Sequence, residues 1–173
     1  GENKKTIFNI GSLGVESSKN HKIIKKEILE KKLKIKFNKK NILMTFQPET
    51  INTKKENLRK LDILLNCIKN LKNTSIIMTM PGADHYYKSI QSKLLEFCRR
   101  NKNVFLFKSL GHDNYFSICR LVDFMIGNSS SGVIEMPSFK KGTINLGIRQ
   151  LGRLHSNTVI NADFNKKAII KAI

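Results

Sequence analysis

The sequence predicts an α/β protein built on a Rossmann-like, doubly wound parallel sheet. Short apolar runs alternate along the chain with longer amphipathic segments. The runs are apolar throughout, as expected of parallel strands that are buried on both faces and joined by right-handed helical crossovers. At 173 residues the chain is long enough for one domain with a substantial core. The predicted strands are Asn41–Phe46, Ser75–Met80, Asn103–Phe107, Asp123–Gly127, Gly142–Leu146 and Asn157–Ile160.

Helical periodicity is clearest between the first two predicted strands. Leu58, Leu61 and Leu65 recur at intervals of three and four residues, which is the spacing of one helix face. Thr53 and Glu56 have the spacing of a capping box, in which each side chain bonds the other residue's backbone N–H. The pattern predicts a helix over residues 54–71.

A second helical stripe separates the second and third predicted strands. Tyr87, Ile90 and Leu94 mark its apolar face, and Asp84 is placed to cap its first turn. The last nine residues, "NKKAIIKAI", begin a further helix. We expect the chain to be a piece of a longer protein, because this helix ends without a capping residue.

The first forty residues fit the strand–helix alternation less well. Their sequence predicts a short strand, a glycine-bearing turn and a lysine-rich helix. We therefore expect residues 1–16 to form a leading segment or interdomain hinge, and residues 17–173 to form the Rossmann-like domain.

The chain is strongly basic, with 32 Lys+Arg against 13 Asp+Glu and a formal net charge of +19. Such a charge is compatible with nucleic-acid binding through phosphate contacts. The lysines are spread along the chain between Asn and Ile residues, which favours a solvated lysine surface over a nucleic-acid footprint.

The three cysteines, Cys67, Cys98 and Cys119, are far apart and lie in apolar segments. This predicts buried reduced thiols and neither a disulfide framework nor a zinc site. No run has the roughly 18 apolar residues of a membrane span, and no signal segment opens the chain. A cytoplasmic location is expected.

The carboxyl ends of the strands are the expected ligand-binding edge of this fold. The loops that follow the strands share this edge, here called the rim. They comprise residues 47–50, 81–85, 109–114, 128–131 and 147–153.

The stretch "GNSSSG", Gly127 to Gly132, follows a predicted strand and opens a predicted helix. Its backbone N–H groups and the hydroxyls of Ser129, Ser130 and Ser131 suit a phosphate. An ordinary serine N-cap explains the same residues without a ligand.

Glu135 lies six residues after Ser129, in what the pattern predicts to be the first turns of the same helix. A carboxylate there can accept hydrogen bonds from the vicinal diol of a ribose, or it can simply stabilise the helix N-terminus. Arg149 and Arg153 lie in a glycine-flanked loop after the next strand, where a guanidinium can bind a diphosphate through paired hydrogen bonds. Together these residues indicate a nucleotide diphosphate.

The stretch "GNSSSGVIEMPSFKKGTINLGIRQLGR", Gly127 to Arg153, resembles the hydrolysing UDP-N-acetylglucosamine 2-epimerases of sialic and legionaminic acid synthesis. The non-hydrolysing epimerases carry a DSGG-type loop and a "TTERPE"-type sequence at these places. The resemblance implies a glycosyltransferase-B-like fold of two Rossmann-like domains, with the nucleotide-sugar bound in the cleft between them. The chain is similar to the second, C-terminal domain only, so the N-terminal catalytic domain is expected to be missing from it.

The resemblance also implies residue roles and partners. Ser129 and Ser130 would bind the diphosphate, Glu135 the ribose hydroxyls, and Arg149 the diphosphate or the sugar. The expected partners are a UDP-sugar or GDP-sugar, the N-terminal domain and, in the full-length protein, further copies of itself. No cofactor and no metal is expected. The backbone of Leu110 and Gly111 would bind the uracil, and Asp84 and Asn128 complete the expected nucleotide- or substrate-binding set.

Two positions depart from the family pattern. The sequence "MTFQPET" has Gln47 where relatives commonly have a histidine, and "MPGADHYY" has Gly82 where they commonly have an asparagine. A glutamine can form hydrogen bonds to a phosphate or sugar but cannot carry a proton near neutral pH. No residue of this chain is therefore assigned as catalytic, and the identity of sugar and nucleotide stays open.

His85, His112 and His155 lie in or beside the rim loops without the spacing of metal ligands. Structural or solvated roles are favoured for all three, since no orienting carboxylate is evident. His112 stands out because it follows the expected base-binding turn.

The implied reaction is elimination of the nucleoside diphosphate with proton removal at C2, followed by addition of water to give a 2-epimerised free sugar such as N-acetylmannosamine. The acid and base groups would belong to the N-terminal domain, so the chain alone is expected to be inactive. Two alternatives are a glycosyltransferase of the same architecture and a basic nucleic-acid-binding module.

Overall fold

The computed structural model describes residues 2–83 and 85–173. Its centre is a six-stranded parallel sheet with the strand order β3-β2-β1-β4-β5-β6, which is the order of a Rossmann fold. The predicted fold class is confirmed. The strands are β1 Lys40–Thr45, β2 Thr74–Thr79, β3 Val104–Phe107, β4 Phe124–Gly127, β5 Gly142–Leu146 and β6 Val159–Ala162.

Helices connect the strands and cover both faces of the sheet. They are α1 Leu13–Asn20, α2 Lys26–Leu33, α3 Lys54–Ile68, α4 Tyr87–Arg100, α5 His112–Leu121, α6 Ser130–Ile134 and α7 Lys166–Ala172, with short 3-10 turns at Lys4–Thr6 and Met136–Phe139.

The core has two layers because successive strand residues point to opposite faces. Ile42 and Met44 of β1 pack with α3, α4 and α7 on one face. Leu43, between them, packs with α2 and α5 on the other. All three side chains are buried, which explains why the strand is apolar throughout.

The capping box of α3 is confirmed: Thr53 and Glu56 exchange side-chain-to-backbone hydrogen bonds. The helix ends at Ile68, three residues before the predicted end at Leu71. The chain turns there to enter β2, and Asn73 adopts the left-handed conformation in that turn.

Helix α4 begins at Tyr87 as its apolar stripe predicts. Its N-cap position is Tyr86, which is left-handed and gives no side-chain cap. The predicted cap, Asp84, lies outside the described residues. The predicted C-terminal helix is confirmed as α7, and Asn165 caps it by accepting a hydrogen bond from the backbone of Ala168.

The short strand predicted near the start of the chain is wrong. The segment forms the 3-10 turn Lys4–Thr6, and Ile7, Phe8 and Ile10 after it are exposed. Within residues 2–83 and 85–173, no strand pairs with this segment, so its apolar residues alone do not make it a strand. The predicted single lysine-rich helix is two helices, α1 and α2, and the predicted division between residues 16 and 17 falls inside α1.

Strand β6 lies two residues further along the chain than predicted. Its pairing with β5 continues through Asn161 and Ala162, opposite Asn145 and Leu146. As an edge strand it exposes Ile160 and Asn161, so hydrophobicity is a poor guide to where it ends. None of the helices in the described part of the chain has the length and hydrophobicity to cross a membrane.

Candidate nucleotide-binding site

A cavity of about 410 Å³ opens at the carboxyl ends of β1, β2, β3 and β4. The strand order reverses between β1 and β4, which is where ligands bind in open α/β sheets. The cavity brings together three of the predicted rim loops, those that follow β1, β3 and β4. Its lining consists of Thr45, Gln47, Thr79, Lys108, Ser109, Leu110, Gly111, His112, Tyr115, Phe116 and Ser129.

Two glycines fix the path of the loop that follows β4, residues 127–132, here called the serine loop. Gly127 has φ +140°, and a Cβ there would lie 1.9 Å from the carbonyl oxygen of Thr45. At Gly132 a Cβ would lie 2.6 Å from Cγ2 of Thr143 in β5. The loop therefore passes close to β1 and β5, and only glycine permits both approaches without displacement.

Asn128 ties the rim loops together. It is fully buried, its Oδ1 accepts a hydrogen bond from Gln47 N at 2.7 Å, and its Nδ2 donates to Gln47 O at 2.8 Å. Its own carbonyl oxygen accepts from Arg149 Nη1 at 3.2 Å and from Gln150 Nε2 at 2.9 Å. The Asn128 side chain, predicted to bind ligand, is thus occupied by the backbone of the loop after β1.

The two positions that depart from the family pattern contact each other. Oε1 of Gln47 accepts a hydrogen bond from Gly82 N at 2.9 Å, joining the loops after β1 and β2. Gln47 also lines the cavity. Its amide is neutral over the accessible pH range, so it contributes hydrogen bonds and no proton transfer.

The serine loop forms the start of α6 as predicted. Ser129 is the N-cap, and its Oγ accepts from Ser131 N at 3.3 Å. Ser131 Oγ in turn accepts from the hydroxyl of Tyr115 in α5 at 2.6 Å. All three serines are partly exposed at the rim.

The prediction that Glu135 lies in the first turns of this helix is wrong. Glu135 lies at the C-terminal end of the helix. The α-helix ends at Ile134 and a 3-10 turn follows, because Pro137 lacks the N–H needed to continue the α-helical pattern. The carboxylate therefore gains nothing from the N-terminus of α6, but it lies near the N-terminus of α1, so its position also fits a ligand-free role at a helix N-terminus. The side chain lies against α1, where a Cβ at Gly14 would be 2.3 Å from Glu135 Oε1.

The two predicted arginines lie in different surroundings. Arg149 is exposed, and its hydrogen bond to the Asn128 carbonyl places its guanidinium beside the serine loop. Arg153 lines a separate cavity of about 670 Å³, together with His155 and residues of β6 and α7. The structure thus brings only Arg149 to the serine loop.

Leu110 and Gly111, predicted to bind the base through their backbone, line the cavity. Leu110 is buried, and Gly111 has φ +69° with open space where a Cβ would stand. The backbone of Gly111 is therefore accessible to a ligand on the side where another residue would carry its side chain.

His112 has an orienting carboxylate, contrary to the expectation, although Asp113 directly follows it in the sequence. Its Nδ1 lies 2.8 Å from Oδ1 of the adjacent Asp113, and its ring packs edge-on against Phe116 at 4.9 Å. The hydrogen bond from His112 holds the pKa of Asp113 below its ordinary value. His155 bonds Ser156 and lines the other cavity, whereas His85 packs on Tyr86.

Several site residues have little or no signal in the sequence. Tyr115, Lys108 and Thr79 line the cavity, and Thr79 Oγ1 lies 2.6 Å from Oγ1 of Thr45. The two threonines are the polar ends of apolar runs, a weak signal that marks the rim. The other two belong to a loop and a helix and reach the site only through the fold.

Tyr115 and Cys119, one turn apart on α5, remain neutral near pH 7. Burial raises the pKa of the Tyr115 hydroxyl far above its ordinary value, and the negative charge of Glu135 adds to this rise. Burial also raises the pKa of the Cys119 thiol, to about 12. Cys67 is buried too and Cys98 partly so, in agreement with the prediction of free thiols. In the part of the chain described, no three His, Cys, Asp or Glu side chains cluster as metal ligands.

Comparison with known proteins identifies the family. A family model described as UDP-N-acetylglucosamine 2-epimerase matches residues 1–173. The chain is 40% identical over 166 residues to the GDP/UDP-N,N'-diacetylbacillosamine 2-epimerase (hydrolyzing) of Campylobacter jejuni, covering 95% of this chain and 43% of that protein. It is 38% identical to the polysialic acid biosynthesis protein P7 of Escherichia coli, covering all of this chain and 44% of that protein. The chain therefore spans less than half the length of these relatives.

The fold is also found in a solved structure of Staphylococcus aureus MnaA with UDP, at a TM-score of 0.65 and 17% identity. The match covers 99% of this chain and 45% of that one. This confirms the prediction of a Rossmann-like fold, and the chain corresponds to somewhat less than half of the matched structure.

Proposed function

Because the chain belongs to the UDP-N-acetylglucosamine 2-epimerase family, we propose that it is the nucleotide-binding domain of a hydrolysing 2-epimerase. In this proposal the full-length protein releases UDP and a 2-epimerised free amino sugar such as N-acetylmannosamine, which serves sialic-acid-type synthesis. The Campylobacter relative is named as a hydrolysing enzyme, and the Escherichia coli relative as a polysialic acid biosynthesis protein.

One observation carries the proposal: a guanidinium and a serine loop meet at the edge of the 410 Å³ cavity, here called the switch-point cavity because the strand order reverses there. Arg149 bonds the carbonyl of Asn128, the residue before Ser129, and Ser129 lines the cavity. A diphosphate held there accepts hydrogen bonds from serine hydroxyls and backbone N–H groups and pairs with the arginine charge. This supports the role proposed for Ser129, Ser130 and Arg149.

The proposal assigns the base and the ribose to the residues that the resemblance implies. The base lies against the backbone of Leu110 and Gly111 on the cavity wall. The ribose hydroxyls donate to Glu135, whose carboxylate is partly exposed. In this arrangement the chain holds the leaving group of the reaction.

Proton transfer at C2 and at the leaving oxygen requires an acid and a base. Gln47 offers neither, and we assign both groups to a further domain across the cleft. The relatives are more than twice as long as this chain, which leaves room for such a domain.

Calorimetric titration of the chain with UDP and GDP tests the binding role. We expect UDP to bind, and Arg149→Ala and Glu135→Gln to weaken binding about tenfold or more, since each removes a charge-assisted hydrogen bond. Arg153→Ala is the matched control, because Arg153 lines the other cavity. If the folded chain binds neither nucleotide, or if Arg153→Ala weakens binding as much as Arg149→Ala, the proposed site is wrong.

Product analysis of the full-length protein tests the reaction. Incubation with UDP-N-acetylglucosamine should give UDP and a free 2-epimerised sugar, whereas the isolated chain should give neither. A new glycosidic bond to an acceptor would instead identify a glycosyltransferase.

A further inference from the structure

The serine loop receives a hydrogen bond from outside itself. Tyr115 lies in α5, sixteen residues before Ser131, and its hydroxyl lies 2.6 Å from Ser131 Oγ. Tyr115 and Ser129 both line the switch-point cavity, so this contact is made at the wall of the proposed ligand site.

The direction of this hydrogen bond determines what Ser131 offers a ligand. A hydroxyl has one proton and two lone pairs. Tyr115 donates its proton to Ser131 Oγ, so one of the serine's lone pairs is occupied and its own proton points elsewhere. Burial holds the pKa of Tyr115 high, so the phenol retains the proton that its hydrogen bond to Ser131 Oγ requires.

The hydroxyl of Ser129, two residues earlier in the loop, is arranged in the same way. Ser131 N donates to Ser129 Oγ at 3.3 Å, which occupies a lone pair of Ser129 and leaves its proton free as well. Two hydroxyls at the rim are thus both arranged as donors. Donors held in place before binding favour an anion, because little orientational freedom is lost when it binds.

We propose that Tyr115 is a positioning residue that sets the Ser131 hydroxyl as a hydrogen-bond donor toward the diphosphate. The inference rests on the proposed function and adds to it a residue that contributes to phosphate affinity without contacting the phosphate. Without the phenol proton, Ser131 can turn its own proton toward a protein carbonyl and present a lone pair to the anion, which weakens binding.

The first experiment compares Tyr115→Phe with the unmodified chain by titration with UDP and with uridine, which lacks the phosphates. We expect the Kd for UDP to rise about five- to tenfold, the effect of impairing one hydrogen bond to a charged group. The Kd for uridine should stay within about twofold. Tyr87→Phe is the control, since it removes a tyrosine hydroxyl at the start of α4, outside the cavity.

A double-mutant cycle with Ser131→Ala separates positioning from a general packing role. If Tyr115 acts through the Ser131 hydroxyl, Tyr115→Phe should have no further effect on the UDP Kd once that hydroxyl is gone. A structural role would lower UDP affinity equally in both backgrounds and would also weaken uridine binding.

The outcomes distinguish the inference from the function on which it rests. Equal UDP affinity of Tyr115→Phe and the unmodified chain, or additive effects in the cycle, would overturn the positioning role alone. Failure of the unmodified, folded chain to bind UDP would overturn the proposed function and this inference with it.

Discussion

The side-chain amide of Asn128 pairs with the backbone of Gln47 as a neighbouring strand would, donating to its carbonyl at 2.8 Å and accepting from its N–H at 2.7 Å. This pair continues the contact between β1 and β4 beyond the end of both strands. It holds the loop after β1 against the serine loop at the point where the ligand is proposed to bind.

Replacing Asn128 should destabilise the domain without removing a ligand contact. Asn128→Ala leaves the partly buried N–H and C=O of Gln47 without these partners, at a cost of about 1–3 kcal/mol in the free energy of unfolding. Urea denaturation measures this cost. Asn66→Ala, an exposed position in α3, should change stability by less than about 0.5 kcal/mol. A loss at Asn128 no larger than that would show that the pairing is unimportant.

Gly127→Ala should be among the most destabilising single changes in the chain. The added Cβ would lie 1.9 Å from the Thr45 carbonyl oxygen, and φ is +140°. We expect a loss of at least about 3 kcal/mol, since neither strand can move without breaking pairs with its neighbours. Gly152→Ala is the matched control: its φ is +81° with open space around the Cβ position, so only backbone strain of about 1 kcal/mol is expected. Equal losses at both positions would contradict the steric explanation.

Gln47→Glu tests the electrostatics of the cavity with little change in shape. A carboxylate can still accept the hydrogen bond from Gly82 N, so thermal stability should change little. The new negative charge lies on the wall that Gln47 shares with Ser129 and should raise the UDP Kd about tenfold, less at high salt. Titration at two salt concentrations measures this. Gln47→Leu is the complementary variant: it adds no charge but removes the acceptor for Gly82 N, so the Tm should fall.

Stability should fall as the pH rises above about 9. Tyr115 and Cys119 have pKa values raised by burial in the folded chain. Their stabilising contribution is complete below their ordinary values of 10.0 and 9.0 and is lost as the pH rises toward the folded pKa values. Between its ordinary pKa and its pKa in the folded chain, each group reduces the free energy of unfolding by up to about 1.4 kcal/mol per pH unit.

Urea denaturation between pH 8 and pH 11 checks this expectation. The double variant Tyr115→Phe with Cys119→Ala should be less stable at neutral pH but lose stability more slowly as the pH rises. Parallel curves for variant and unmodified chain would show that other groups cause the alkaline loss.

The sequence reveals the buried parts of this fold better than its edges. Strands such as β1 are apolar on both faces and so stand out from their surroundings, whereas the edge strand β6 exposes two successive residues, Ile160 and Asn161, and lies two residues further along than its sequence predicts. The leading segment has strand-like residues such as Ile7 and Phe8, but a strand exists only where another strand pairs with it. Local composition contains no information about that partner.

The candidate site likewise contains residues that the sequence reveals and residues that only the fold reveals. Ser129 and Arg149 are found from a motif, and strand order brings them to one rim. Asn128 has the polarity of a ligand residue, yet its contacts are with Gln47, which lies 81 positions away in sequence. Tyr115 looks like an ordinary member of an amphipathic helix. The serine motif predicts Glu135 in the first turns of its helix, although Pro137 two residues later already indicates that the α-helix ends there.

The two glycines that border the serine loop have a practical meaning for the design of altered ligand specificity. Gly127 and Gly132 determine where the backbone runs, and the three serine side chains between them, at positions 129–131, are partly exposed at the rim. A library that randomises positions 129–131 and keeps both glycines therefore samples new ligand chemistries on the same backbone path, with loss of the Ser129 cap and of the Tyr115–Ser131 hydrogen bond in most members. A library that includes the glycines would spend most of its members on chains that do not fold.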